Sequence, residues 1–115
     1  VFNPGTDGRV RTDNPHLIDP VSDEEAQHQS NLGIIICGSG NGAAMTANKH
    51  QNIRTALCWT EEISKLSRLH NDANIISIPA RFVSTAEAIQ MVDVFLSTPF
   101  EGGRHQNRVN KIPCV

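Results

Sequence analysis

The chain has no tyrosine, one tryptophan and four phenylalanines, so its core has to be built from aliphatic side chains. No apolar run approaches the roughly 20 residues of a membrane-spanning helix, and no stretch has the pattern of a secretion signal. An excess of charge of one sign is also lacking, with 10 Lys and Arg against 12 Asp and Glu. The formal net charge of −2 disfavours nucleic acid or an anionic membrane as a bulk partner. The three cysteines, Cys37, Cys58 and Cys114, are an odd number and lack the paired spacing of a zinc site. They suit reduced thiols in a cytoplasm better than a disulfide scaffold. A chain of 115 residues is expected to form one domain able to bury a modest core.

What is present concentrates around Ile34-Ile35-Ile36-Cys37-Gly38-Ser39-Gly40-Asn41-Gly42. An apolar run flanked by turn signals reads as a strand buried on both faces, here Leu32–Cys37. The alternate glycines let the backbone turn tightly and approach a ligand. A helix is expected over Gly42–His50 and a second strand over Ile53–Trp59, with Ala56-Leu57-Cys58 at its buried end. Thr60-Glu61-Glu62 caps the next helix and places acids at its positive end, with Ile63, Leu66 and Leu69-His70 on one face. A third strand follows at Asn74–Ile78. Ser84-Thr85-Ala86-Glu87 is a capping-box pattern that opens a helix with Ala88, Ile89, Val92, Phe95 and Leu96 as its apolar face, stopped by Pro99. A last helix is expected from Gly103 to Lys111. Upstream, residues 1–14 read as loop, with Val1-Phe2 as the stub of a strand and Asp13-Asn14-Pro15 as a helix start. Alternation of strands and helices at this spacing predicts an α/β fold, with right-handed crossovers and a parallel sheet.

Three clusters carry chemistry. Cys37 is the last residue of its strand before a glycine loop. Such a cysteine is either core or a thiolate base, and thiolates are favoured at helix N-termini and beside cations. Cys58 is followed by Trp59 and Thr60 and reads as core. The loop Gly38-Ser39-Gly40-Asn41-Gly42 lacks the G-x-G-x-x-G spacing of a dinucleotide site, and Leu57-Cys58-Trp59 offers no acid for a ribose. No Gly-Lys-Ser/Thr follows, so it is not a P-loop. A nucleotide-binding module would rest on this loop alone; what the loop suits is a small oxyanion. His70-Asn71 ends a helix, where His is common for reasons of dipole alone, yet His is also the usual acid or base near neutral pH. Arg104 and Arg108 lie four apart, so on a helix they share a face, either as a solvated basic surface or as a phosphate clamp. Arg81 adds a third cation. Together these parts suit proton transfer on a phosphorylated small molecule.

Taken in order, Cys37-Gly-Ser-Gly-Asn-Gly, Ala47-Asn48-Lys49, Ile53-Arg54-Thr55-Ala56-Leu57-Cys58, His70-Asn71-Asp72-Ala73-Asn74 and Phe100-Glu101-Gly102-Gly103-Arg104-His105 resemble the ribose-5-phosphate isomerase B family. The wider family includes the galactose-6-phosphate isomerase subunits, and the resemblance runs from about Asp13 to Ile112. It implies a three-layer α/β/α sandwich around a five-stranded parallel sheet. It also implies aldose–ketose isomerisation through an enediolate, without a metal or other cofactor, in the pentose phosphate pathway of the cytoplasm. Carried over by position, Cys37 is the base. Ser39 and the N–H groups of Gly38, Gly40, Asn41 and Gly42 steady the enediolate. His70 opens the furanose ring and Asn71 binds sugar hydroxyls. Arg104 and Arg108 hold the phosphate, with Arg81 as helper. Family members are homodimers or homotetramers whose active sites combine residues of two subunits. The motifs fit ribose, allose and galactose phosphates alike, with ribose 5-phosphate favoured.

Two departures accompany the resemblance. The family opens with a strand carrying Ser-Asp-His-Ala-Gly, and this chain opens with Val1-Phe2-Asn3-Pro4-Gly5. Asn14 also stands where many members have Tyr. The expectation is a single isomerase domain over residues 1–115, incomplete at its N-terminus. Losing a central strand would leave it poorly stable or self-associating. A sugar-phosphate-binding domain without turnover is the alternative function.

Overall fold

The computed structural model describes residues 31–114, so the expectations for Val1-Phe2 and Asp13-Asn14-Pro15 lie outside the described residues. Three strands, β1 (Gly33–Cys37), β2 (Thr55–Leu57) and β3 (Ile75–Pro79), form a parallel sheet in the order β1-β3-β2. The third strand in sequence is therefore central, and all five of its residues are buried. Its composition explains this, because Ile75, Ile76 and Ile78 are β-branched and fill both faces of a pleat.

Side chains of β3 alternate between two cores. On one face Ile75 meets Ile35, Ile53 and the small side chains of Ala43 and Ala47, with Cys37 packed against this group. Ala43 and Ala47 belong to α1 (Asn41–Ala47), four residues apart on one face. On the other face Ile76 and Ile78 pack with Cys58, Ala73, Met91 and Phe95. This second core is closed by α2 (Glu61–Asn71) and α3 (Thr85–Ser97), giving three layers of helix, sheet and helix. A fourth helix, α4 (His105–Lys111), contacts α2.

The helix starts follow the capping residues. Thr60 Oγ1 accepts from the Ile63 N–H, with Glu61 and Glu62 in the first turn. Ser84 and Glu87 complete a reciprocal capping box. The core faces of the helices differ from the expected ones. On α3 the stripe is Ala88, Met91, Val92 and Phe95, whereas Ile89 and Leu96 are 57% and 52% exposed. Residues at i, i+3, i+4 and i+7 make a narrower stripe than one that also includes Ile89 and Leu96. On α2 the buried positions are Ser64 and Ser67. Their hydroxyls are satisfied by the Met91 and Ser64 carbonyls, both at 2.7 Å. Small side chains there let α2 and α3 approach closely.

The strand β1 is also not buried on both faces among the described residues. Ile35 is buried, but Ile34 and Ile36 are 40% and 69% exposed. By register they share a face with Ile76 and Ile78, beside a groove of about 350 Å³ walled by Ile36, Ala88, Ile89 and Val92.

A polar network fixes the opposite end of the sheet. Asp72, with φ of 48°, ends α2 and accepts from Arg68 at 3.1 Å and Arg54 at 3.5 Å. Arg68 also donates to the Ala73 and Thr98 carbonyls, at 2.6 and 3.0 Å. Buried Asn74 accepts from the Arg54 N–H at 2.8 Å and donates to the Asn52 carbonyl at 2.7 Å. Asp72 and Asn74, parts of the recognised motif, are thus structural here. No helix among the described residues is long and apolar enough to cross a membrane.

Candidate active site

The residues singled out from the sequence fall into two groups at opposite ends of the sheet. Cys37 ends β1 and stands opposite Pro79, the last residue of β3. The chain then leaves both strands side by side. The Ala80 N–H donates to the Cys37 carbonyl at 2.8 Å, and the Arg81 N–H donates to the Gly38 carbonyl at 3.0 Å. A Cβ added to Gly38 would lie 3.2 Å from Arg81 Nε. Arg81, whose direction the sequence leaves open, therefore lies over the loop that follows Cys37.

Gly40 closes that loop with φ of 76° and forms the N-cap of α1. A Cβ there would lie 2.7 Å from Leu57 Cδ1 and 3.0 Å from Ser77 Oγ. The buried Ser77 hydroxyl donates to the Gly40 carbonyl at 2.8 Å, tying the loop to the central strand. Ser39 Oγ accepts from the Asn41 N–H at 3.4 Å. Ser39, Asn41 and Gly42 are exposed, and no side chain caps the helix. Cys37, Ser39, the glycine loop and Arg81 thus form one half-site.

The second half-site lies at the far pole. Helix α2 runs back from the end of β2 to the start of β3, so His70 and Asn71 in its last turn sit near Ile75 rather than Pro79. The rise along β3 alone separates the two poles by about 13 Å. The segment before α4 docks here, with the Glu101 N–H donating to the Leu69 carbonyl at 3.1 Å. Gly102 and Gly103, with φ of 73° and 57°, turn the chain into α4. Arg104 is its N-cap and Arg108 follows one turn later, both exposed. His105 is buried, and its ring stacks on His70 with centroids 4.3 Å apart and planes 16° apart. Burial, then the charge of His70, holds the His105 imidazole below its ordinary pKa.

Within one chain, the structure brings Cys37, Ser39, Gly38, Gly40, Asn41, Gly42 and Arg81 together. It groups His70 and Asn71 with Arg104 and Arg108, and it does not join the two sets. The sequence motifs assign no role to Ser77 or His105. A serine within an apolar strand was a signal for the first; for the second, the signal was a histidine on the Arg104–Arg108 helix.

The three cysteines differ in reactivity. All are free, with Cys58 buried, Cys37 half-buried and Cys114 exposed. Burial pushes the Cys58 thiol up to about 11, against a smaller opposing effect of the Ser67 hydroxyl. In the native protein an alkylating reagent should label Cys37 and Cys114 and leave Cys58 untouched until unfolding. Mass spectrometry of the labelled peptides checks this, and native labelling of Cys58 would contradict its place in the core.

Comparison with known proteins places the chain in a family. The model of the Ribose/Galactose Isomerase family matches residues 1–112. Ribose-5-phosphate isomerase B of Escherichia coli is 39% identical over 115 residues, which are all of this chain and 77% of that protein. The crystal structure of a ribose 5-phosphate isomerase from Thermotoga maritima is similar with a TM-score of 0.93 at 40% identity, covering 96% of this chain and 77% of that one. Ribose-5-phosphate isomerase B from Mycoplasma genitalium, solved with bound ribulose-5-phosphate, is similar with a TM-score of 0.91 at 39% identity over 96% of this chain and 74% of that one. With a family model that spans residues 1–112 and relatives of about 40% identity along the same parallel sheet, this chain belongs to the ribose/galactose isomerase family.

Proposed function

We propose that the protein interconverts ribose 5-phosphate and ribulose 5-phosphate, and that two copies of the chain assemble each active site. The observation that carries the reading is the similarity to the Mycoplasma genitalium structure with bound ribulose-5-phosphate, which extends over 96% of this chain. The separation of the two half-sites supports the second clause.

In this reading His70 protonates the ring oxygen as its bond to C1 breaks, and the anomeric hydroxyl gives up its proton to solvent to become the C1 carbonyl, which opens the furanose. The Cys37 thiolate then removes the proton from C2. The electron pair of the broken C2–H bond forms the C1=C2 double bond, and the C1 carbonyl oxygen becomes an enediolate oxygen. N–H groups of Gly38 to Gly42, with Ser39, face that developing charge. Return of the proton to C1, and transfer of the hydroxyl proton from O2 to O1, gives the ketose. Arg104 and Arg108 hold the phosphate, Asn71 binds sugar hydroxyls, and Arg81 adds positive charge above the loop. No net oxidation occurs, so no redox cofactor is needed. We place this reaction in the pentose phosphate pathway. The free thiols suit a reducing cytoplasm.

Complementation of two inactive variants tests both clauses. Full-length protein carrying Cys37→Ala, and full-length protein carrying His70→Ala, should each show little isomerase activity. Mixed by co-expression they should recover about a quarter of wild-type activity, because half of a random set of dimers is mixed and each mixed dimer keeps one intact site. Mixed dimers that form without recovering activity would refute the shared site. Ribose 5-phosphate binding by calorimetry without wild-type turnover would favour a binding domain instead.

A further inference from the structure

At the His70 pole, side chains from two segments converge on one point. A nitrogen of His70, a nitrogen of His105 and a carboxylate oxygen of Glu101 all lie within 4.8 Å of one another. The backbone holds them there: the Glu101 N–H is bonded to the Leu69 carbonyl, one residue before His70, and the Gly102-Gly103 turn brings His105 back beneath Glu101. The stacking of the two rings places both imidazoles next to each other.

We propose that His70, Glu101 and His105 form a binding site for a divalent transition-metal ion such as Zn²⁺, and that occupancy of this site inhibits the isomerase. Two imidazoles and one carboxylate are a three-ligand zinc set that leaves a fourth position open. Zinc bonds of about 2.0–2.2 Å need tetrahedral donors roughly 3.4 Å apart. Exposed Glu101 closes that gap by a change of rotamer, and half-buried His70 by rotating its ring out of the stack, since two stacked rings with planes 16° apart do not both point a nitrogen lone pair at one ion. Imidazole donors select Zn²⁺, Co²⁺ and Ni²⁺ over Mg²⁺, which prefers six oxygens. Arg104 and Arg108 oppose the ion, but both are exposed and their charge is screened. Inhibition follows because the metal occupies the His70 lone pair assigned to ring opening. This second clause rests on the function proposed above, whereas the binding clause does not.

Cobalt titration of the full-length protein reads binding without reference to catalysis. Four-coordinate Co²⁺ bound to nitrogen and oxygen gives visible d–d absorption. Glu101→Gln and His105→Gln should each weaken that binding by more than about tenfold. In parallel, micromolar Zn²⁺ should inhibit the isomerase, chelator should reverse it, and Glu101→Gln should raise the inhibitory concentration to the same extent with metal-free turnover kept. Cobalt bands unchanged by both substitutions would overturn the site. A strong sulfur-to-cobalt charge-transfer band that persists in both variants would do the same, because it places the metal on a cysteine without these ligands. Binding lost in the variants but without inhibition upholds the site, and removes the ring-opening role of His70 instead.

Discussion

Cys37→Ala is expected to lower kcat for ribose 5-phosphate about 10²–10⁴-fold, or roughly 3–5 kcal/mol of transition-state stabilisation, with KM changed only a few-fold. In the proposed mechanism proton abstraction from C2 by Cys37 is an interaction of the transition state alone, so its loss falls on kcat rather than on ground-state binding. The phosphate contacts assigned to Arg104 and Arg108 lie at the opposite pole and are untouched by the change. Cys58→Ala is the control. Cys58 packs with Ile76, Met91 and Phe95, so its truncation should cost about 1 kcal/mol of stability and leave kcat near wild type. Steady-state kinetics of both variants decides the matter. Wild-type turnover by the Cys37 variant would remove Cys37 as the base.

Gly40→Ala should destabilise the protein by about 2–5 kcal/mol. The left-handed backbone costs a non-glycine residue about 1–2 kcal/mol, and displacing Leu57 and Ser77 adds about 1–3 kcal/mol. Because Ser77 is on the central strand, the strain cannot be relieved by moving the loop outward without breaking its bond to the Gly40 carbonyl. Gly42→Ala is the counterpart. A Cβ there meets nothing within 4 Å, and replacing a helical glycine by alanine should gain about 0.5–1 kcal/mol. Urea unfolding of the two variants should therefore shift the midpoint in opposite directions. A Gly40 variant as stable as wild type would show that the loop does not need its positive φ.

Where structure is set by neighbours along the chain, the sequence was a sufficient guide. Thr60 and Ser84 with Glu87 marked their helix starts, and Pro99 lies just past the end of α3. Where it is set by what lies across the fold, it was not. Ile34-Ile35-Ile36 reads as buried on both faces because three isoleucines look alike whether one face is covered or two. Ser64 and Ser67 face the core because α2 and α3 must approach each other there, a requirement carried by neither helix alone. Ile89 and Leu96 read as core in place of Met91, since a helix with apolar residues on several sides does not declare its orientation. The types of residue in the candidate site were readable from Cys37 to Arg108. Their division was not, because it follows from the direction in which α2 returns along the sheet.

That return has a kinetic consequence. A parallel strand and its crossover helix point opposite ways, so a group at the end of one cannot meet a group at the end of the other inside the same unit. If each site draws on both, a lone chain has no activity to lose. Specific activity then becomes a property of concentration, falling on dilution as the assembled fraction falls, with no change in the fold of the chain itself.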